Sequence, residues 1–159
     1  MLFRSMGALP DAVLRRLAGD AAGHAQGALE SHVLATADDD GWPRLTHLSD
    51  GEVLAMPDGS VRLCTWASSR TAGNLRRDGR ATLTVAADGA AWEVRMRCRE
   101  LPAPPGAPDL AYFAAEAESA EEHRAKYAVV ERGTSFRLHD PAEAVARWSA
   151  QHAALRSLA

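Results

Sequence analysis

The sequence lacks most of the features that would direct it toward several common fates. It has only two cysteines, Cys64 and Cys98. They are too few and too far apart for a disulfide framework or a zinc knuckle, and both fall in apparent strands, where a free thiol behaves as a small packing group. No apolar run approaches the roughly 20 residues that a membrane-crossing helix needs, and the N-terminus lacks the basic, apolar and cleavage-site regions of a signal peptide. A cytoplasmic protein without a membrane partner is expected. Charge of one sign is not in excess either: 18 basic against 21 acidic residues leave a net charge of -3, so no global field gathers nucleic acid or an anionic membrane, and any anion must be held by a local cluster. The histidines, His24, His32, His47, His123, His139 and His152, show no HxH or HExxH spacing that would bring two imidazoles to one metal. A GxSxG elbow, a paired cysteine and histidine signature and a glycine-rich dinucleotide fingerprint are all missing. Arg76, Arg77 and Arg80 cluster near a helix end without interleaved aromatics, so nucleic acid is not an expected partner.

What is present fits one domain of 159 residues, long enough for one sizeable core and too short for two ordinary ones. Three parts are expected: an N-terminal helical extension over residues 1–30, a barrel core over 31–101, and a region 102–159 holding a helix, a last strand and a C-terminal helix. Pro10, then Val13, Leu14 and Leu17 on one face, then Gly19, predict a short N-terminal helix that reads as an appendage. Residues 32–37 are apolar and partly β-branched and run into Asp38-Asp39-Asp40-Gly41, a tight-turn sequence. A second strand follows Pro43 through Leu48. Ser49-Asp50-Gly51 marks a turn or bulge, residues 53–56 a strand, Pro57-Asp58-Gly59 another turn, and residues 61–66 a further strand. Strands at such hairpin spacing favour an antiparallel meander over βαβ crossovers.

Ser68 or Ser69 caps a predicted helix over residues 70–77, which Asp78-Gly79 ends before a strand over 81–85. Trp92, Val94, Met96 and Cys98 then alternate strictly with Glu93, Arg95, Arg97 and Arg99, the pattern of a strand with one apolar and one charged face. After the loop 102–106, the stretch from Pro108 to about Lys126 places Leu110, Phe113, Ala114 and Ala117 on one side and predicts a surface-packed helix. Residues 133–139 read as a last strand. Asp140, Pro141 and Glu143 supply an N-cap, a first-turn proline and a capping-box glutamate for a C-terminal helix whose face is Val145, Trp148, His152 and Leu155.

The segment 65–80, Thr-Trp-Ala-Ser-Ser-Arg-Thr-Ala-Gly-Asn-Leu-Arg-Arg-Asp-Gly-Arg, carries the most information. A strand end, two hydroxyls, an arginine and a helix start meet within about seven residues, and the free N–H groups and positive dipole end of a helix attract phosphate. In the order strand, acidic-glycine turn, strand, strand ending in this serine-arginine helix start, and two more strands, residues 31–101 resemble the pyridoxamine-phosphate-oxidase-like split-barrel family, with 63–85 the most specific part. The resemblance implies a mainly β, antiparallel split barrel with peripheral helices, dimeric, with FMN in the cleft between subunits. It implies that Cys64 and Thr65 line the flavin, that Ser69 and Arg70 hold its phosphate, and that the segment Arg44 to Leu48, with Thr46, His47 and Leu48, faces the isoalloxazine ring. Thr71 stands where many members have lysine, which removes one cation and leaves a hydroxyl donor.

The C-terminal tryptophan and arginine segment of the vitamin B6 oxidases has no match, because Arg147 and Trp148 lie on the capped helix. An FMN-dependent oxidoreductase acting on a small-molecule redox substrate, as a homodimer, is the function the resemblance implies, and no acid or base residue is assigned. Two alternatives stay open. One is a barrel binding the deazaflavin F420, for whose anionic tail the outward Arg95, Arg97 and Arg99 form a candidate stripe, or binding haem. The other is a flavin-binding sensor without turnover.

Overall fold

The computed structural model describes residues 8–19, 29–107 and 109–158. Residues 20–28, with His24 and part of the expected N-terminal extension, and Pro108 lie outside them. The described chain runs through α1 (Asp11–Leu17), β1 (Leu29–Ala37), β2 (Pro43–Leu48), a 3-10 turn (Asp50–Glu52), β3 (Val53–Ala55), β4 (Val61–Trp66), α2 (Arg70–Asp78), β5 (Arg80–Ala87), β6 (Ala90–Leu101), β7 (Leu110–His123), β8 (Thr134–Phe136) and α3 (Pro141–Ser157). All strand pairs are antiparallel, in the order β2-β1-β5-β6-β7-β4-β3, with β8 added to the start of β1. The terminal strands of this sheet, β2 and β3, are consecutive in sequence and joined by the 3-10 turn. One face of every strand from β1 to β7 reaches a single apolar core, through Leu34, Leu48, Val53, Leu63, Leu83, Val94 and Phe113 among others.

Residues 110–123 are a strand and not the expected helix. β7 is the central partner of β4 and β6, paired along both edges. Alternate residues Ala111, Phe113, Ala115 and Ala117 face the core; a register shift opposite Arg95 and Met96 then leaves Glu118 outside the pairing, and the inward position moves to Ala120. Before that bulge both faces are buried, with Tyr112 and Ala114 in the apolar cluster beneath α3, so the run lacks the polar alternation that identifies a strand and Leu110, Phe113, Ala114 and Ala117 imitate a helix face. Alanine and glutamate favour helix in isolation, but saturation of both backbone edges overrides the propensity. The barrel therefore extends well beyond residue 101.

The N-terminal helix is likewise no appendage. Leu9, Ala12, Val13 and Leu17 belong to the main core, and α1 packs on β3 and β5. It ends at Ala18 in right-handed conformation, without recruiting Gly19 as a left-handed cap. β6 carries the expected alternation, with Trp92, Val94 and Met96 buried and the arginines outward.

α3 covers the outer face of β3, β4 and β7, where Leu155 packs with Leu54, Cys64 and Tyr112. Its buried face is Ala144, Trp148, His152 and Leu155, with Ala144 in place of the expected Val145. Asp140 accepts a hydrogen bond from the Glu143 amide at 3.0 Å, and Trp148 meets Phe136 edge to face at 6.5 Å. The helix approaches the 3-10 turn so closely that a Cβ on Gly51 would overlap the Trp148 ring.

A buried polar cluster joins these pieces. Asp50 Oδ1 accepts from Arg16 Nη1 and from His32 Nε2, each at 2.9 Å, and the Asp50 carbonyl accepts from His152 Nε2. Arg16 also donates to Glu30 Oε1 at 2.7 and 2.9 Å, and Glu30 Oε2 accepts from the Gly133 amide. Burial opposes ionisation of Asp50, but the His32 hydrogen bond and the Arg16 guanidinium outweigh it and hold the carboxyl below the usual carboxylate range.

Asp50→Asn retains the shape but strips the charge facing Arg16 and His32. Breaking a buried pair this way costs about 3–5 kcal/mol, read as a lower urea midpoint at pH 7. Because the folded pKa lies below the unfolded value of about 3.9, the stabilisation is complete above that value and is lost as pH falls toward the folded pKa. The native protein is expected to lose stability below about pH 4, and the variant to show a shallower acid loss; equal acid slopes would contradict the assignment.

Candidate functional site

The serine-arginine turn forms as the sequence suggests. Ser69 is the N-cap of α2 in extended conformation, and its Oγ accepts from the Ala72 amide at 3.1 Å. The Ser69 hydroxyl hydrogen remains available, and the amides of Arg70 and Thr71 sit in the first turn, where a helix offers no acceptor of its own. Arg70 is exposed and makes no hydrogen bond or ion pair with the described residues. At the other end, Gly79 caps α2 at φ 71°, and a Cβ there would lie 2.7 Å from the Cys98 carbonyl oxygen, so glycine is required.

The position of α2 is set by a clamp on the β1–β2 hairpin. Asn74 Nδ2 donates to Thr36 Oγ1 at 3.0 Å and to Asp38 Oδ1 at 2.8 Å, and Arg77 donates to Asn74 Oδ1 and to the Ala37 carbonyl. Asp38 also accepts from Arg44 through both carboxylate oxygens, at 2.7 to 3.1 Å. The Arg44 and Asn74 hydrogen bonds lower the Asp38 carboxyl to about 2. Arg44 is thus hydrogen-bonded to Asp38, whereas Arg70 acts on Asp38 only through its charge and makes no hydrogen bond or ion pair among the described residues.

The structure treats the residues singled out from sequence unequally. Thr71 is buried, and its hydroxyl bonds to that of Thr46, which joins α2 to β2. Leu48 points into the barrel core, and Thr65 is buried at the end of β4. Cys64 faces away from the barrel interior, sealed beneath α3, so its side chain does not line an open site. Burial, with the nearby Glu52 charge, pushes its thiol up to about 12. His47 is exposed on β2, and its Nδ1 lies 2.9 Å from Ser31 Oγ. The outward arginines are partly neutralised, Arg97 by Glu118 at 2.5 Å and Arg95 by Glu93 at 3.6 Å.

A cleft of about 1040 Å³ opens between α3, the loop before β7, β8 and the ends of β2 and β4. His47 and Trp66 line it, together with Tyr112, Phe136, Arg147 and Gln151. None of the last four was singled out as a ligand residue from sequence. They come from distant segments that meet only because α3 folds back over the barrel, and no local spacing signals that. Ser69, Arg70 and Thr71 lie outside the cleft lining.

An antiparallel sheet wrapped on one core, with a capped helix between its fourth and fifth strands and α1 and α3 packed around it, defines a split-barrel type of protein. Residues 28–146 match the pyridoxamine 5'-phosphate oxidase family, and the chain belongs to it. The uncharacterized protein YclD of Bacillus subtilis is 35% identical over 123 residues, covering 75% of this chain and 78% of that one. Among solved structures, the fold is shared with a pyridoxamine 5'-phosphate oxidase-like protein of Lactobacillus delbrueckii at TM-score 0.52 and 15% identity, covering 74% of this chain and 99% of that one. It is shared with an F420 reductase at TM-score 0.50 and 13% identity, covering 62% and 94%. The haem storage protein HutZ of Vibrio cholerae gives TM-score 0.50 and 11% identity, covering 64% and 90%.

With its thiol held near 12, Cys64 has roughly a thousandfold less thiolate at pH 8 than an ordinary cysteine near 9. A disulfide reagent followed by peptide mass mapping is expected to leave Cys64 unmodified in native protein and to modify it in urea. Rapid native labelling would mean that α3 does not seal β4.

Proposed function

We propose that the protein is an FMN-dependent oxidoreductase that binds FMN at a homodimer interface and acts on a small-molecule redox substrate in the cytoplasm. The observation that carries this is Arg70: an exposed guanidinium that makes no hydrogen bond or ion pair among the described residues and feels only the longer-range charge of Asp38, beside a serine hydroxyl and two first-turn amides at the start of a nine-residue helix. That donor set fits a phosphate monoester. Bound FMN supplies hydride or electron transfer. The chain itself holds and orients: Ser69, Arg70 and the α2 amides take the phosphate, and the Asn74 clamp fixes α2 against the hairpin that carries Thr46, His47 and Leu48. Thr71 supports this by bracing α2 on Thr46, a positioning part in place of a lysine's charge. Trp42, Leu45 and Trp66 are 73%, 63% and 62% exposed, and two of them lie on or beside the edge strand β2, which supports a second copy as cover.

F420 is the second reading, supported by the shared fold of a protein so named; for it the arginine stripe would be the tail site. Pairing of Arg95 and Arg97 with glutamates weighs against that, and no feature of the described residues favours haem. Titration of the purified protein with FMN, followed by flavin fluorescence, tests the proposal. Each charge-assisted hydrogen bond contributes about 1.5–3 kcal/mol, so Arg70→Ala is expected to weaken FMN by about tenfold to a hundredfold with the thermal midpoint nearly unchanged, and Ser69→Ala/Arg70→Ala to weaken it further while also losing about 1 kcal/mol of stability with the α2 cap. Protein that ignores FMN, or a double variant that binds it as the native chain does, would contradict the proposal.

A further inference from the structure

The cleft beneath α3 is left unexplained by the phosphate turn, since the residues of that turn do not line it. Its volume, about 1040 Å³, matches the upper range of small-molecule sites. Three aromatic side chains from three different strands, Trp66, Tyr112 and Phe136, contribute to its walls, and Trp66 is largely exposed there. Arg147 on α3 reaches the same lining and makes no hydrogen bond or ion pair with the described residues. A planar guanidinium among aromatic walls is suited to bidentate capture of a carboxylate.

The remaining polar groups narrow the ligand further. Glu52 lines the cleft, but its carboxylate is occupied by the Ser49 amide and hydroxyl at 2.7 and 2.9 Å. Asp109, also on the lining, has no side-chain partner among the described residues. Its carboxylate disfavours a second anionic group and favours a donor such as a hydroxyl or an amine.

We propose that this cleft binds a planar aromatic carboxylate bearing a hydroxyl or amino substituent, with the carboxylate paired to Arg147, the ring against the aromatic walls, and the donor satisfied by Asp109. That this ligand is the substrate rests on the flavin function; its binding does not.

The probe is 6-hydroxy-2-naphthoate, titrated by its fluorescence into the full-length protein, with the corresponding neutral naphthamide as control. Saturable binding is expected, weakened at least tenfold by Arg147→Gln and partly recovered in Arg147→Lys, while the amide binds the native and Arg147→Gln proteins alike. Ser69→Ala/Arg70→Ala is expected to leave naphthoate affinity unchanged. Absence of saturation, or equal loss of acid and amide in Arg147→Gln, would overturn the inference. FMN binding that depends on Ser69 and Arg70 without naphthoate binding would overturn the cleft and leave the flavin function standing. Arg147-dependent naphthoate binding in a protein that ignores FMN would do the reverse.

Discussion

Asp50 is the constraint on which the rest of the architecture hangs. A carboxylate taken out of water is costly unless charges and donors surround it; here Arg16 and His32 reach the carboxylate, and the Asp50 carbonyl and its neighbours tie in further parts of the chain. Arg16 brings α1, His32 brings β1, His152 brings α3, and Glu30 extends the cluster to the Gly133 amide just before β8. The 3-10 turn carrying Asp50 also joins the two terminal strands of the sheet. One buried charge therefore fixes where the sheet ends meet, where α1 enters the core and how α3 lies over the outer face. Gly51 follows from it: once His152 reaches the Asp50 carbonyl, Trp148 has no room for a side chain on the next residue.

The candidate phosphate site depends on a second, shallower network. Asn74, Asp38, Arg44 and Arg77 bind α2 to the β1–β2 hairpin, and within it every charge has a partner. Arg70 stands at the edge of that network without a hydrogen bond or ion pair among the described residues. Arg44 and Arg70 both lower the Asp38 carboxyl, the first through hydrogen bonds and the second through charge alone, which separates a structural arginine from one able to receive an anion.

Local signals in the sequence were enough for much of this. The acidic turn at 38–41, the strand over 61–66, the Ser69 cap with Gly79 as the terminator and the alternation along β6 each rest on neighbours within a few residues, and each stands in the structure as read. What depended on distant partners was not legible. β7 read as a helix because both of its faces are buried over 111–115, one in the core and one beneath α3, so no alternation marks it as a strand, and its alanines and glutamates favour helix. The N-terminal helix read as an appendage because nothing local reveals that Leu9, Val13 and Leu17 enter the barrel core. Cys64 was aligned with a flavin-lining position, yet α3, seventy residues or more further on, closes over it. The cleft residues Tyr112, Phe136, Arg147 and Gln151 meet for the same reason, so their common lining is a property of the fold and of no motif. His47 is intermediate: its strand was legible, while its Ser31 partner and its place on the cleft were not.

The central claim is that the start of α2, and not the cleft under α3, receives the cofactor phosphate. The measurement that tests it most directly is a crystal structure of the protein grown with FMN. The account predicts the phosphate within hydrogen-bonding distance of the Arg70 guanidinium and the Ser69 hydroxyl, with the isoalloxazine ring near β2. A flavin seated against Arg147 and Phe136, with Arg70 left in solvent, would contradict it.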